Sequence, residues 1–112
     1  MKIVKSWEAP EGQNPHGVSA RPLHGNEHVQ VTMVTLKPGE ALKLHVTPVD
    51  VFFYVLEGAG VVEIGGEQQP VSKDMLIESP ARLAHRLLNP GQETFRFLVV
   101  KTPAQKEQTK IL

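Results

Sequence analysis

The sequence predicts one all-β domain, a sandwich or barrel of short antiparallel strands, and two observations support that prediction. Turn-forming residues recur roughly every ten positions, and the short runs between them are rich in Val, Ile, Phe, Leu and Thr. No window keeps the apolar spacing of an amphipathic helix over three turns. A chain of 112 residues suits one hydrophobic core, so residues 1–112 are expected to form a single domain.

The expected strands follow one another along most of the chain. They are the apolar runs at 28–36, 42–47, 50–56, 61–64, 75–77, 85–88 and 94–100. Pro38-Gly39 suits the centre of a type II turn after the first run, and Gly65-Gly66 indicates a hairpin after the fourth. Residues 1–27 are rich in Pro and Gly and are expected to form an irregular arm, while the polar residues 103–112 are expected to fray.

Charge and cysteine content exclude several classes of function. Twelve basic side chains balance twelve acidic ones, and no basic cluster is interleaved with aromatic residues. Neither nucleic acid nor an anionic membrane is therefore an expected partner. The absence of cysteine excludes disulfides, thiolate ligands and a cysteine nucleophile. The N-terminus lacks the apolar run of a signal peptide or membrane span, so a cytoplasmic location is expected.

Two segments carry motifs with defined spacing. Residues 38–58 are PGEALKLHVTPVDVFFYVLEG, and residues 74–89 are DMLIESPARLAHRLLN. They resemble the two conserved motifs of the cupins: Gly, five residues, His-x-His, three or four residues, Glu, six residues, Gly; and Gly, five residues, Pro-x-Gly, two residues, His, three residues, Asn. The resemblance covers the chain from about residue 29 to 103 and implies a small antiparallel jelly-roll barrel, or double-stranded β-helix. Asp74 and Arg82 replace motif glycines, which leaves the turn geometry there open.

The resemblance implies a metal site that this chain keeps only in part. Cupins commonly hold a divalent metal with two His and a Glu from the first motif and a His from the second. His45 and His85 stand at the first and last of these positions, but Thr47 replaces the second His and Val51 replaces the Glu. Thr47 is one candidate for a further ligand. The arm residues His16, His24 and His28 are expected to be exposed, but one of them, with His28 the leading candidate, could fold over the pocket as a third nitrogen ligand. Imidazole favours zinc, nickel, iron or copper, so the expected cofactor is one of these ions.

Strand alternation predicts which side chains surround the two motif histidines. If His45 faces the barrel interior, every second residue on its strands shares that face, and His85 does the same on its own strand. The expected pocket lining is Lys43, Val51, Phe53 and Leu87. This cavity would be largely apolar, with imidazoles and an ammonium at its mouth, as suits a small-molecule ligand.

The opposite face predicts an oligomer. Phe52 and Tyr54 would look outward, and a monomer rarely leaves such aromatic residues bare. The segment Lys2 to Trp7 is expected to form a strand that could extend a neighbour's sheet. A homodimer is therefore expected.

Three classes of function stay open at this point. The first is a small-molecule-binding barrel with a reduced metal site, favoured because two imidazoles alone bind a divalent ion far less tightly than a set that includes a carboxylate. The second is a metal-dependent enzyme of isomerase or oxygenase type, acting on a small anionic or enolisable substrate. The third is an interaction module without a small ligand. The sequence assigns no catalytic residue and slightly favours binding over catalysis.

Overall fold

The computed structural model describes residues 1–112, and strands supply nearly all of its regular structure. The strands are β1 Ser19–Gly25, β2 Gln30–Leu36, β3 His45–Val46, β4 Asp50–Glu57, β5 Ala59–Ile64, β6 Glu67–Ser72, β7 Leu76–Ser79, β8 Ala84–Leu88, β9 Phe95–Thr102 and β10 Lys110–Ile111. The helical content is one 3₁₀ turn at Ser6–Glu8. The structure contains no membrane-spanning helix. The all-β prediction is confirmed.

Two antiparallel five-stranded sheets make up the barrel. Their strand orders are β1-β2-β9-β4-β7 and β10-β3-β8-β5-β6. Strands distant in sequence are thus neighbours, and the double-stranded β-helix that the motifs imply is confirmed. The pairing of β3 with β8 places His45 directly opposite His85.

Alternation along the strands decides which side chains fill the space between the sheets. On β4, Val51, Phe53 and Val55 are buried, whereas the residues between them are partly exposed. Burying a side chain of this size contributes about 1.5–3 kcal/mol to stability. The core comprises Ala20, Val34, Leu36, Leu42, Val51, Phe53, Val55, Val62, Val71, Leu87, Phe95 and Phe97.

Three strands lie outside the expected runs. β1 falls in the segment expected to be an irregular arm, β10 falls in the segment expected to fray, and β6 is polar and contains Pro70. All three are edge strands. Pro22 and Pro70 are tolerated there because an edge strand has one side without ladder hydrogen bonds. No strand forms at residues 2–7, where one was expected.

The two turns that lack motif glycines keep a left-handed backbone. The φ angles of Asp74 and Arg82 are 69° and 70°, a region that residues other than glycine rarely adopt. The Asp74 N–H donates to the Val55 carbonyl at 2.9 Å, and the Arg82 N–H donates to the Thr47 carbonyl at 3.0 Å. These hydrogen bonds offset a strain of about 1–2 kcal/mol per residue.

Candidate ligand-binding site

A cavity of about 210 Å³ lies between the two sheets, beside the β3–β8 pair. Its apolar wall includes Val34, Leu42, Val51, Phe53 and Val99. Its polar side chains include His16, His45, Thr47, His85, Lys101 and Thr109. Residues 12–16 of the arm and Thr109 near the C-terminus also line it, so both terminal segments take part in the site.

His45 and His85 lie side by side in this cavity. Their ring centroids are 4.5 Å apart at an interplanar angle of 70°. The Nδ1–H of His45 donates to the Lys43 carbonyl at 2.7 Å, because a carbonyl can only accept. The lone pair of neutral His45 is therefore on Nε2. Burial lowers the pKa of His45, the Lys43 carbonyl raises it, and the charge of Lys101 lowers it.

His85 has a hydroxyl at each ring nitrogen. The Ser79 hydroxyl lies 2.6 Å from Nδ1, and the Thr47 hydroxyl lies 3.1 Å from Nε2. One nitrogen of a neutral imidazole donates and the other accepts, and a hydroxyl can serve either role. Burial, followed by the charges of His45, Lys101 and His16, lowers the pKa of His85 to about 3. His85 is thus a neutral ring with both nitrogens satisfied.

A turn in the arm brings a third imidazole, His16, into the cavity. The Asn14 side-chain oxygen accepts a hydrogen bond from the His16 N–H at 3.0 Å. Gly17 follows with a φ of 70°, which glycine adopts without strain. The His16 ring then packs against His45 with centroids 4.6 Å apart. The sequence favoured His28 rather than His16 as the arm histidine over the pocket, although the turn-forming run Asn14-Pro15-His16-Gly17 was a local indication of a bend.

The tautomer of His16 is opposite to that of His45. The Lys43 N–H donates to His16 Nδ1 at 2.9 Å, so Nδ1 must carry the lone pair and Nε2 the proton. Burial lowers the pKa of His16 to about 4, and the charges of His45, Lys43 and Lys101 act in the same direction. His16 therefore faces the cavity as a neutral ring near neutral pH.

Lys101 supplies the one ammonium among the lining residues. It pairs with Val51 across the β4–β9 ladder, so the two side chains share the inner face. Its Nζ donates to the Gln105 side-chain oxygen at 2.7 Å, and it belongs to none of the ion pairs in the structure. Burial lowers its pKa. Every second residue counted from Phe95 and Phe97 shares their inward face, which would have predicted that Lys101 points into the barrel. The expected strand stopped at residue 100, so Lys101 was not included.

Two residues expected to line the pocket do not. Lys43 is exposed because residues 42–44 are not in a strand, so the alternation counted back from His45 does not hold there. Leu42 takes the inward place instead. Leu87 is fully buried in the apolar core and does not reach the cavity wall.

The remaining candidates divide between the cavity and the surface. Val51, Phe53 and Thr47 line the cavity. The side chain of His28 is 81% exposed, with Nε2 at 3.3 Å from the Glu27 carboxylate. His28 is not among the lining residues, so the structure does not bring it to the histidine pair.

The side chains present do not fit a resident divalent metal. No group of three or more His, Cys, Asp or Glu residues is arranged to hold one. Among the three imidazoles, only His45 keeps a lone pair free of a hydrogen-bond partner, and coordination by His16 or His85 would break an existing hydrogen bond. The cavity lining has no carboxylate, and Lys101 adds positive charge.

Fold and cavity together define a small jelly-roll barrel with an internal cavity. Residues 32–101 match the cupin domain model, and the chain belongs to that family. A curated relative, polyketide synthase CurC of Streptomyces cyaneus, is 32% identical over 72 residues, covering 63% of this chain and 47% of that protein. The chain spans about half the length of the curated relatives it matches.

Solved structures share the fold over nearly the whole chain. The protein TT1209 from Thermus thermophilus is 30% identical, with a TM-score of 0.79 over 92% of this chain and 98% of that one. The polyketide cyclase RemF from Streptomyces resistomycificus is 21% identical, with a TM-score of 0.85 over 100% of this chain and 85% of that one. At that identity, the likeness to RemF concerns the fold.

Proposed function

We propose that this chain binds a small organic anion in the cavity, and that the Lys101 ammonium pairs with the anion's charged oxygen. The observation that supports this most is the partly buried ammonium without a carboxylate partner. A charge removed from water is stabilised by an opposite charge. Neutral His16, His45 and His85 surround it, so the ligand would meet hydrogen-bonding groups without a competing anion.

The size and lining of the cavity narrow the class of ligand. A volume of about 210 Å³ lies below the range of about 300–1,000 Å³ typical of pockets for drug-sized molecules. The apolar wall suits a short carbon chain. One relative is named a polyketide synthase, and polyketides carry repeated carbonyl groups. This supports an enolisable anion, for which acetoacetate is a convenient probe.

A nuclear magnetic resonance titration of the chelator-treated protein tests this proposal. Acetoacetate is expected to give saturable shifts at cavity residues, whereas its neutral methyl ester binds more weakly. Lys101→Met keeps the aliphatic stem and removes the charge, and is expected to weaken binding about tenfold or more. Lys106→Met removes an exposed lysine nearby and serves as the matched control. Equal affinity of the wild type and Lys101→Met would contradict the proposal, as would the absence of saturable binding.

A metal-dependent isomerase or oxygenase, in which substrate oxygens would complete the ligand set that the side chains alone do not supply, is the second candidate function. The orientation of His45 favours it. Its Nδ1–H bonds a backbone carbonyl, an arrangement common among metal-ligating histidines. On this alternative, zinc or nickel binds weakly to the wild type. His85→Ala abolishes that binding, and Val51→Glu strengthens it by adding a carboxylate at the family position.

Equilibrium dialysis of the wild type and both variants with zinc and nickel separates the two candidates. Occupancy through neutral imidazoles should fall only at a pH well below 6.5, because burial lowers the pKa of both His45 and His85. If the wild type binds no more metal than His85→Ala, the metal-dependent alternative is contradicted. The organic-anion proposal is independent of that outcome, because its own test uses protein freed of metal.

A further inference from the structure

We propose that His16 and His45 act as a catalytic pair that enolises the bound anion: His45 Nε2 accepts a proton from carbon, and the His16 Nε2–H donates a hydrogen bond to the forming enolate oxygen. This inference rests on the proposed function, since it needs an enolisable anion held near Lys101. It assigns an activity and two roles that anion binding alone does not require.

The backbone N–H and carbonyl of Lys43 fix the two rings in opposite tautomers. The N–H donates to His16 Nδ1 at 2.9 Å, and the carbonyl accepts the His45 Nδ1–H at 2.7 Å. A peptide N–H can only donate and a peptide carbonyl can only accept, so neither tautomer can invert without losing a hydrogen bond. His85 differs, because its two hydroxyl partners permit either tautomer.

The two rings are close enough to act on one small molecule. Their centroids are 4.6 Å apart at 61°, and both rings line the same cavity. Enolisation needs a base at a C–H bond and a donor at the oxygen of the adjacent carbonyl. The pair supplies one free acceptor and one free donor, since neither Nε2 has a hydrogen-bond partner in the protein.

The proposed step balances without a further reactant. The carbon–hydrogen bond breaks and an N–H bond forms on His45 Nε2. The electron pair left on carbon forms the C=C bond, and the carbonyl π pair moves to oxygen. His16 keeps its proton and stabilises the oxygen as a neutral donor, while the Lys101 ammonium pairs with the carboxylate. Return of a proton from His45 to carbon completes the cycle.

The environment of each ring suits its role. Burial lowers the pKa of His45, and the Lys43 carbonyl opposes that shift by stabilising the imidazolium that forms there. Lys101 lowers that pKa by its charge, and a bound carboxylate offsets this effect. The low pKa of His16, about 4, keeps it a neutral donor throughout. A neutral imidazole that donates to a developing enolate is an established catalytic device.

The tautomers can be tested in the protein alone. Long-range proton–nitrogen correlation spectra of ¹⁵N-labelled protein report which ring nitrogen carries the proton. At neutral pH, His16 is expected to be protonated on Nε2 and His45 on Nδ1. The same tautomer in both rings, or averaged signals from either, would overturn the inference.

Solvent deuterium exchange into acetoacetate tests the chemistry. The wild type is expected to accelerate exchange at the central methylene with saturation kinetics. His45→Gln should lower kcat by about a hundredfold or more with little change in affinity. His16→Phe preserves a ring against His45 and should lower kcat by about tenfold or more. His24→Gln, at an exposed position on β1, is the matched control and should leave exchange unchanged.

These outcomes distinguish the catalytic pair from the proposed anion binding on which it rests. Binding of acetoacetate that depends on Lys101, without accelerated exchange, would overturn the catalytic pair and leave anion binding intact. A lack of binding would overturn both. If His45→Gln does not fold, the tautomer spectra and the His16→Phe rate still decide, and a His16→Phe rate equal to the wild type would refute the donor role.

Discussion

Acidification is expected to destabilise the folded barrel through His85. This ring is only 2% exposed, and burial, together with the charges of His45, Lys101 and His16, lowers its pKa from 6.5 to about 3. Below pH 6.5 the unfolded chain therefore takes up a proton that the folded chain does not. The free energy of unfolding should fall as the pH drops from 6.5 towards 3, and the contribution should be constant above 6.5.

The magnitude follows from the width of that window. At a pH two units below 6.5, the imidazole is protonated in the unfolded chain and neutral in the folded one. Each pH unit below 6.5 lowers the free energy of unfolding by about 1.36 kcal/mol, so the loss over two units is about 2.7 kcal/mol. His16, with a pKa of about 4, acts in the same direction. Its contribution is smaller because its partly exposed ring is screened by solvent.

Urea denaturation followed by far-ultraviolet circular dichroism would measure the effect at about pH 7.5 and pH 4.5. Between these two pH values, the free energy of unfolding of the wild type should fall by at least the contribution of His85. At about pH 7.5 the His85→Gln variant should be less stable than the wild type, because the Ser79 and Thr47 hydroxyls lose their hydrogen-bond partner. On acidification its free energy of unfolding should fall by about 2.7 kcal/mol less than that of the wild type. His28→Gln removes an exposed histidine and should follow the wild type. Parallel pH dependence of His85→Gln and the wild type would refute the reasoning.

Three further outcomes concern packing, a buried amide and assembly. Gly60→Ala should lower the free energy of unfolding by about 1–3 kcal/mol, since its Cβ would overlap the ring of Phe95. Gly25→Ala is the control, because a Cβ there meets nothing within 4 Å. Similar urea midpoints for the two variants would contradict this prediction. Asn89→Ala should lose about 1–3 kcal/mol in the same assay, because the buried Asn89 amide donates to two backbone carbonyls; an unchanged midpoint would count against it. The homodimer stays a prediction, for which the partly exposed Phe52 and Tyr54 remain the reason. Sedimentation should give about twice 12.4 kDa, and a monomer would refute it.

Local pattern was sufficient to predict the fold and the central pair of histidines. Short apolar runs with regular turns determine an all-β barrel, and the two motifs place His45 and His85 on adjacent strands. The pattern failed where no apolar run exists. β1, β6 and β10 are polar or contain proline, and they form because a neighbouring strand offers them a hydrogen-bonding edge.

The rest of the site depends on contacts between distant parts of the chain. His16 reaches the cavity through a turn in the arm and a hydrogen bond to Lys43, 27 positions away. Lys101 becomes a cavity residue only because β9 inserts between β2 and β4. The expected inward position of Lys43 failed because alternation was extended across residues that form no ladder. None of these relations is encoded in a short window of sequence.

The position of Lys43 has a consequence for how this site can be mapped by mutagenesis. Its peptide unit holds two imidazoles, while its side chain points to solvent. An alanine scan would score the position as neutral, since every residue except proline offers the same N–H and carbonyl. The polypeptide backbone is here a component of the proposed active centre, and only a change to the backbone itself, such as an amide-to-ester replacement at residue 43, would expose its role.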